Sequence, residues 1–293
     1  MKTLLFIENN SVASKEAIEY AVKLAKDLNV NLKFMHIHYP EILYSANLSS
    51  SIELLQNPDI GRDNNFSEKQ QVEAFMKELK EEGKIDQETN FEFRTGIPIG
   101  ILKSGFLAGE YDMLAFTNDI RASEMSRYHT LKDVLKIIPC PIWIIPRNYD
   151  YEGIGSALYA TDYQEQDIEA IRELIRLTEP RLTKLGLVHL TDKYDFSQKI
   201  KGIGFDQLVK EETRFGNVAG IIRESNEKKE IAGIMDEIAN ENGSNLLVTL
   251  KENKNVIQRV FYKSFTMKLL KEATRLILVL HRNNPSDMTE ENN

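Results

Sequence analysis

KTLLFIENNS, residues 2–11, and SALYATDYQEQ, residues 156–166, open the same pattern twice: an apolar run, an acidic residue at its end, then an amphipathic stretch. Each continues into a second apolar run that closes on a histidine, FMHIH at 34–38 and LGLVHL at 185–190. Glu8 and Asp162 stand 154 positions apart and His36 and His189 stand 153 apart. A repeat of that period implies two similar domains, so any site is to be sought twice.

Outward from these stretches, each half alternates strand with helix. In the first, TLLFI is a buried strand, and residues 11–28 form a helix with Ala17, Tyr20, Ala21, Leu24 and Leu28 on one face. NLKFMHIH is the second strand. Residues 40–65 form an irregular insertion with a short helix near 52–55, and a charged helix covers 67–82. FEFRT, a TGIPIG turn, a helix at 99–109, YDMLAFT, a helix at 122–137 ended by IPCP, and IWIIP complete the half. The second half reads ALYATD, a helix at 164–177, KLGLVHL, a short helix at 204–213, VAGIIR, a helix over KEIAGIMDEIANENG, NLLVTL, a helix at 258–272 and TRLILVLH.

Parallel strands joined by helices require right-handed crossovers, so the fold class is α/β, with two open, doubly wound parallel sheets. The domains span 1–147 and 156–282, and 283–293, NNPSDMTEENN, has nothing to bury and reads as a disordered tail. The length of 293 residues suits two domains and leaves no room for a third.

A net charge of −8 opposes nonspecific attraction to nucleic acid or anionic membranes. No run of about 18 apolar residues occurs, and Glu8, Asn9 and Asn10 interrupt LLFI at once. A cytoplasmic protein is expected. The single cysteine, Cys140, excludes an intrachain disulfide and reads as a buried structural thiol. His36 and His38 share a strand face but lack a third ligand nearby, so no metal site is expected.

Taken together, KTLLFIE, FMHIH, the GIP turn at 96–98, YDMLAFT and VLKIIPCPIWIIP resemble the universal stress protein family, and ALYATD, GLVHL, NLLVTL and KLLKEATRLILVLH repeat the resemblance. It covers nearly the whole chain outside 40–65 and the tail, in a tandem two-domain form. The resemblance implies the adenine nucleotide alpha-hydrolase-like fold. In many members an acidic residue ending the first strand lies near an ATP ribose, backbone of the second strand meets the adenine, and a glycine-rich loop after the fourth strand cradles the phosphates. Carried onto the second half, these positions are Asp162, Val188, Thr249, Lys263 and Ser264.

The phosphate loop departs from that pattern in both halves. Residues 117–130, TNDIRASEMSRYHT, contain no glycine; Tyr128 and His129 stand where glycine and serine belong, and Asp119 and Glu124 add negative charge. Residues 249–266 also lack glycine, and Lys263 replaces it ahead of Ser264. There Lys251, Lys254, Arg259 and Lys263 make the stretch basic, so side chains could hold a phosphate in place of a backbone nest. ATP binding is therefore expected to be lost from the first domain and open to question in the second.

Other readings stay beside these. Glu8 and Asp162 could equally cap the helices that follow them. His36 and His189 have no paired nucleophile, so local hydrogen bonding explains them better than acid–base work. No Walker loop, G-x-G-x-x-G after a strand, Ser-Gly-Gly-x-Asp loop or G-x-S-x-G elbow is present. The expectation is a stress protein that acts by binding protein partners or a small molecule, without turnover. The alternative is a nucleotide-dependent switch or weak ATPase using the second domain. The fifth strands, IWIIP and LILVLH, should pair within the chain as a built-in pseudo-dimer, and a homodimer of chains stays open.

Overall fold

Why the apolar runs become strands is plain from their burial: Leu4, Leu5 and Phe6 in the first, and Ala157, Leu158 and Tyr159 in its repeat, are fully shielded from solvent. A strand covered on both faces needs apolar residues at every position, as in parallel sheets. The computed structural model describes residues 1–8, 15–38, 60–117, 131–146, 150–191, 195–224, 231–251 and 274–282. Two units form. One comprises Met1–Ala25, Val30–Phe116 and Ile120–Ile138; the other comprises Lys26–Asn29, Thr117–Asp119 and Pro139–Asn293.

In the first unit lie β1 (Thr3–Glu8), α1 (Lys15–Leu28), β2 (Asn31–His38), α2 (Ile60–Glu81), β3 (Asn90–Thr95), α3 (Pro98–Leu107), β4 (Met113–Thr117) and α4 (Leu131–Ile137). Its strands run parallel in the order β3-β2-β1-β4. Helix α1 buries Ala17, Tyr20, Ala21, Leu24 and Leu28, the face expected from their spacing. The edge strand β3 is tied down by charge. Lys33 Nζ lies 2.7 Å from Glu92, and Arg94 bonds Glu92 at 2.5 Å and Glu110 at 2.6 Å. Burial alone would raise the Glu92 carboxyl, but the Arg94 and Lys33 hydrogen bonds outweigh it and hold that group below its ordinary value.

The second unit holds β5 (Ile142–Ile145), β6 (Ser156–Ala160), α5 (Glu165–Thr178), β7 (Lys184–Thr191), α6 (Phe196–Thr213), β8 (Val218–Glu224), α7 (Ile231–Asn242), β9 (Leu246–Lys251) and β10 (Leu276–His281). Its order is β8-β7-β6-β9-β10-β5, parallel throughout except that β5 lies antiparallel on β10. There Ile144 faces Ile277, Trp143 faces Leu278 and Ile142 faces Val279. This is the pairing of the two fifth strands that the duplication implies. Cys140 is buried beside β5 and forms no disulfide.

Two helices depart from the sequence reading. Helix α6 starts at Phe196, eight residues before the expected 204, because Asp195 caps it by accepting from the Gln198 amide at 2.9 Å. Helix α2 starts at Ile60, inside the stretch read as insertion. Of the helix expected at 122–137, α4 is the part described; its residues 122–130, the short helix expected near 52–55, the helix expected at 258–272 and the tail at 283–293 fall outside the described residues.

Close approach fixes two glycines. A Cβ on Gly186 of β7 would stand 2.5 Å from Leu158 Cδ2 in the neighbouring strand. On Gly220 of the edge strand β8 it would stand 2.3 Å from Asp206 Oδ2 on α6. Without that Cβ the Asp206 carboxylate reaches the Gly220 backbone amide; burial still raises the Asp206 carboxyl, and this bond offsets it only in part. The contact occupies part of an edge that would otherwise template strand addition.

Candidate functional site

The carboxyl ends of β6 and β9 are where the second unit's chain order reverses, since β7 follows β6 on one side and β9 flanks it on the other. Open α/β sheets bind ligands at such a switch point. The turn Thr161-Asp162-Tyr163-Gln164 leaves β6 there. Thr161 N donates to Val188 O of β7 at 2.9 Å, extending the strand pairing by one residue.

The turn is built around Asp167, at the third position of α5. Its Oδ1 accepts from the Tyr159 hydroxyl at 2.9 Å. Its Oδ2 accepts from the Thr161 hydroxyl at 2.7 Å and from the backbone amides of Gln164 and Asp162 at 3.1 and 3.2 Å. Burial pushes the Asp167 carboxyl up, with these donors offsetting part of the penalty. The capping proposed for Asp162 is thus carried out by Asp167, which satisfies the amides at the head of the helix.

Asp162 instead projects beside His189. The His189 Nδ1–H donates to Thr161 O at 2.9 Å, and the same nitrogen stands 3.8 Å from Asp162 Oδ1. Tyr163, at φ +61°, lays its ring on His189 with centroids 4.4 Å apart and on Phe205 of α6 at 5.3 Å. The histidine therefore works as a local hydrogen-bonding and stacking residue, as its sequence context implied. In the first unit His36 stacks on Phe93 at 5.1 Å.

Parallel register places the other expected residues. Leu158 pairs with Leu247, and Ala160 pairs with Val188. Alternation then sets Val188 and Thr249 on one sheet face, opposite the face from which Tyr159 reaches Asp167. Thr249 is fully buried, and its hydroxyl has no hydrogen-bond partner among the described residues. Asp162, Val188 and Thr249 thus gather at one end of the sheet, while Lys263 and Ser264 lie outside the described residues. So do the first-half loop at 118–130 and the side chain of Glu8. Residues that sequence reasoning passed over are Tyr159, Thr161, Tyr163 and Asp167. A polar residue followed three positions later by an acid, Gln164 and Asp167, is a helix-start signal that could have found the last.

A groove of about 450 Å³ lies between α5 and the carboxyl ends of β9 and β10, lined by Glu165, Glu169, Glu173, Arg176, Leu250 and His281. Leu250 alternates with Thr249 and so belongs to the opposite face. Among the described residues there is no group of three or more side chains able to hold a metal ion, and no helix long and apolar enough to cross a membrane.

No protein-family model and no curated protein matches the chain. Solved structures do. A universal stress protein from Archaeoglobus fulgidus DSM 4304 superposes over 96% of this chain and 97% of its own, with a TM-score of 0.65 at 15% identity. A protein of unknown function from Pseudomonas aeruginosa PAO1 covers 96% of this chain and 92% of its own, with a TM-score of 0.56 at 14% identity. Over nearly its whole length, then, this chain has the fold of a universal stress protein in tandem form.

Proposed function

We propose that the chain is a tandem universal stress protein of the cytoplasm whose repeats, 1–147 and 156–282, act by binding rather than catalysis. The ligand is a small molecule of the adenine-nucleotide class, held in the second repeat at the carboxyl ends of β6 and β9. Asp162 meets the ribose hydroxyls, and the Val188 backbone lies near the base. Thr249, Lys263 and Ser264 take the phosphate end, with basic side chains in place of a glycine nest. The glycine-free loop at 117–130, with its acidic residues, leaves the first repeat without this activity.

The observation that supports the reading is the division of labour between two aspartates. Asp167 accepts from the Gln164 and Asp162 amides and from two hydroxyls, so Asp162 at the switch point is released from helix capping.

Native mass spectrometry of freshly purified protein, followed by titration calorimetry with ATP, ADP and AMP, tests it. Binding without phosphate release is expected. Asp162→Ala should weaken it about tenfold, roughly 1.4 kcal/mol, without lowering the melting temperature. No response to any adenine nucleotide at millimolar concentration would overturn the reading. Steady phosphate release abolished by Lys263→Glu would replace it with the switch or weak ATPase.

A further inference from the structure

Seven large apolar side chains stand well exposed among the described residues, and four of them lie on α6: Phe196 at 78%, Ile200 at 53%, Ile203 at 57% and Leu208 at 43%. Phe196, Ile200 and Ile203 follow i, i+4, i+7 spacing, so they form one stripe. The helix buries its other side through Gly202, Phe205 and Val209. The stripe therefore points away from the sheet, where a helix of this kind ordinarily carries polar residues.

Four charges on α6 run against its own interest, although Asp195 and Lys210 favour it. Lys199 and Lys201 sit in the first two turns, behind the Asp195 cap, and Glu211 and Glu212 follow Lys210 in the last. Cations near the amino end and anions near the carboxyl end both oppose the helix macrodipole. Neither Lys199 nor Lys201 has an ion pair among the described residues, whereas Arg172 holds Glu212 and Gln207 holds Glu211. Midway along the exposed side is Gly204, where an added Cβ would meet nothing within 4 Å.

We propose that α6 is a self-association surface, on which the α6 of a second copy packs antiparallel with the two-fold axis at Gly204. The occupant is argued from charge: a first half carrying Lys199 and Lys201 and a second half in which Asp206, Glu211 and Glu212 outnumber Lys210 complement each other only when the second helix runs the opposite way. That arrangement sets Ile200 of one copy against Leu208 of the other. It brings Lys201 within reach of the partner copy's acidic end and opposes the two macrodipoles favourably. The bare backbone at Gly204 lets the helices approach closely. One pair of five-turn helices buries less than the roughly 1,200–2,000 Å² of a stable interface, so the dimer is weak and concentration-dependent.

Sedimentation equilibrium of the full chain, from about 1 µM to several hundred micromolar, reads this directly. The average mass should climb from 33.7 kDa toward twice that value. Ile200→Glu, an exposed change that spares the core, should weaken association at least about tenfold, as should Lys201→Glu or Glu211→Lys alone. Lys201→Glu combined with Glu211→Lys should restore it. Gly204→Cys should give a covalent dimer under mild oxidation, whereas Ser197→Cys, displaced from the axis, should not. A chain that stays monomeric throughout, or a dimer indifferent to Ile200→Glu, would overturn the proposal. So would a monomer that instead co-sediments with anionic lipid vesicles through Ile200.

Discussion

The hydroxyl of Tyr159, in the middle of the second unit's sheet, donates to Oδ1 of Asp167 on α5 at 2.9 Å. This bond joins a fully buried strand residue to the carboxylate that organises the turn carrying Asp162. Tyr159→Phe removes the donor and leaves a buried carboxylate oxygen unpaired, which costs about 1–3 kcal/mol. Urea unfolding should show that loss. In an Asp167→Ala background the same change should cost far less, and equal costs in both backgrounds would rule out the coupling.

Stability should respond to pH through two carboxyls of opposite sign. Burial raises the Asp167 carboxyl above its ordinary 3.8, so the folded state binds that proton more tightly than the unfolded chain. Its contribution favours the fold at acid pH and is lost as pH rises through the folded value. Glu92 is held below its ordinary 4.5 despite its burial, by Arg94 and Lys33. Its contribution is present above 4.5 and is lost as pH falls through the lower folded value. Relative to wild type, Glu92→Gln should flatten the acid side of a stability profile, and Asp167→Asn should flatten the rise toward pH 4.

Gly220→Ala places a methyl 2.3 Å from Asp206 Oδ2 and forces the carboxylate off the edge strand. A loss of about 1–3 kcal/mol is expected from overpacking of this kind. Asp206→Ala should relieve most of the added cost in the double variant. Strict additivity, read by thermal denaturation, would mean that the two residues do not act together.

Ile144→Pro removes a backbone donor from β5 where it faces Ile277 of β10, among residues that are almost wholly buried. A fall in melting temperature of about 2–4 °C is expected for each kcal/mol lost in a unit of this size. An unchanged melting curve would argue that the pairing contributes nothing to the fold.

The scaffold was legible because strands buried on both faces are unbroken apolar runs, as TLLFI, IWIIP and LILVLH are. Helix α6 was half-missed for the converse reason. Its exposed positions carry Phe196, Ile200 and Ile203, and Gly202 and Gly204 interrupt the middle, so its apolar residues do not mark its buried side. At the candidate site, Asp162 stood out through its place in the repeat. Asp167 did not, because its importance comes from donors on Tyr159 and Thr161 that only folding aims at one carboxylate.

The antiparallel seat of β5 on β10 has a consequence for how the chain can be divided. The strand IWIIP is written in the first half of the sequence, yet it completes the sheet of the unit that holds β10. A fragment begun at the repeat boundary, 156, would carry β10 as a raw edge of continuous apolar residues, a template for aggregation. One begun at Pro139 would bring its own closing strand. The point at which the sequence starts to repeat is therefore not the point at which the molecule can be cut.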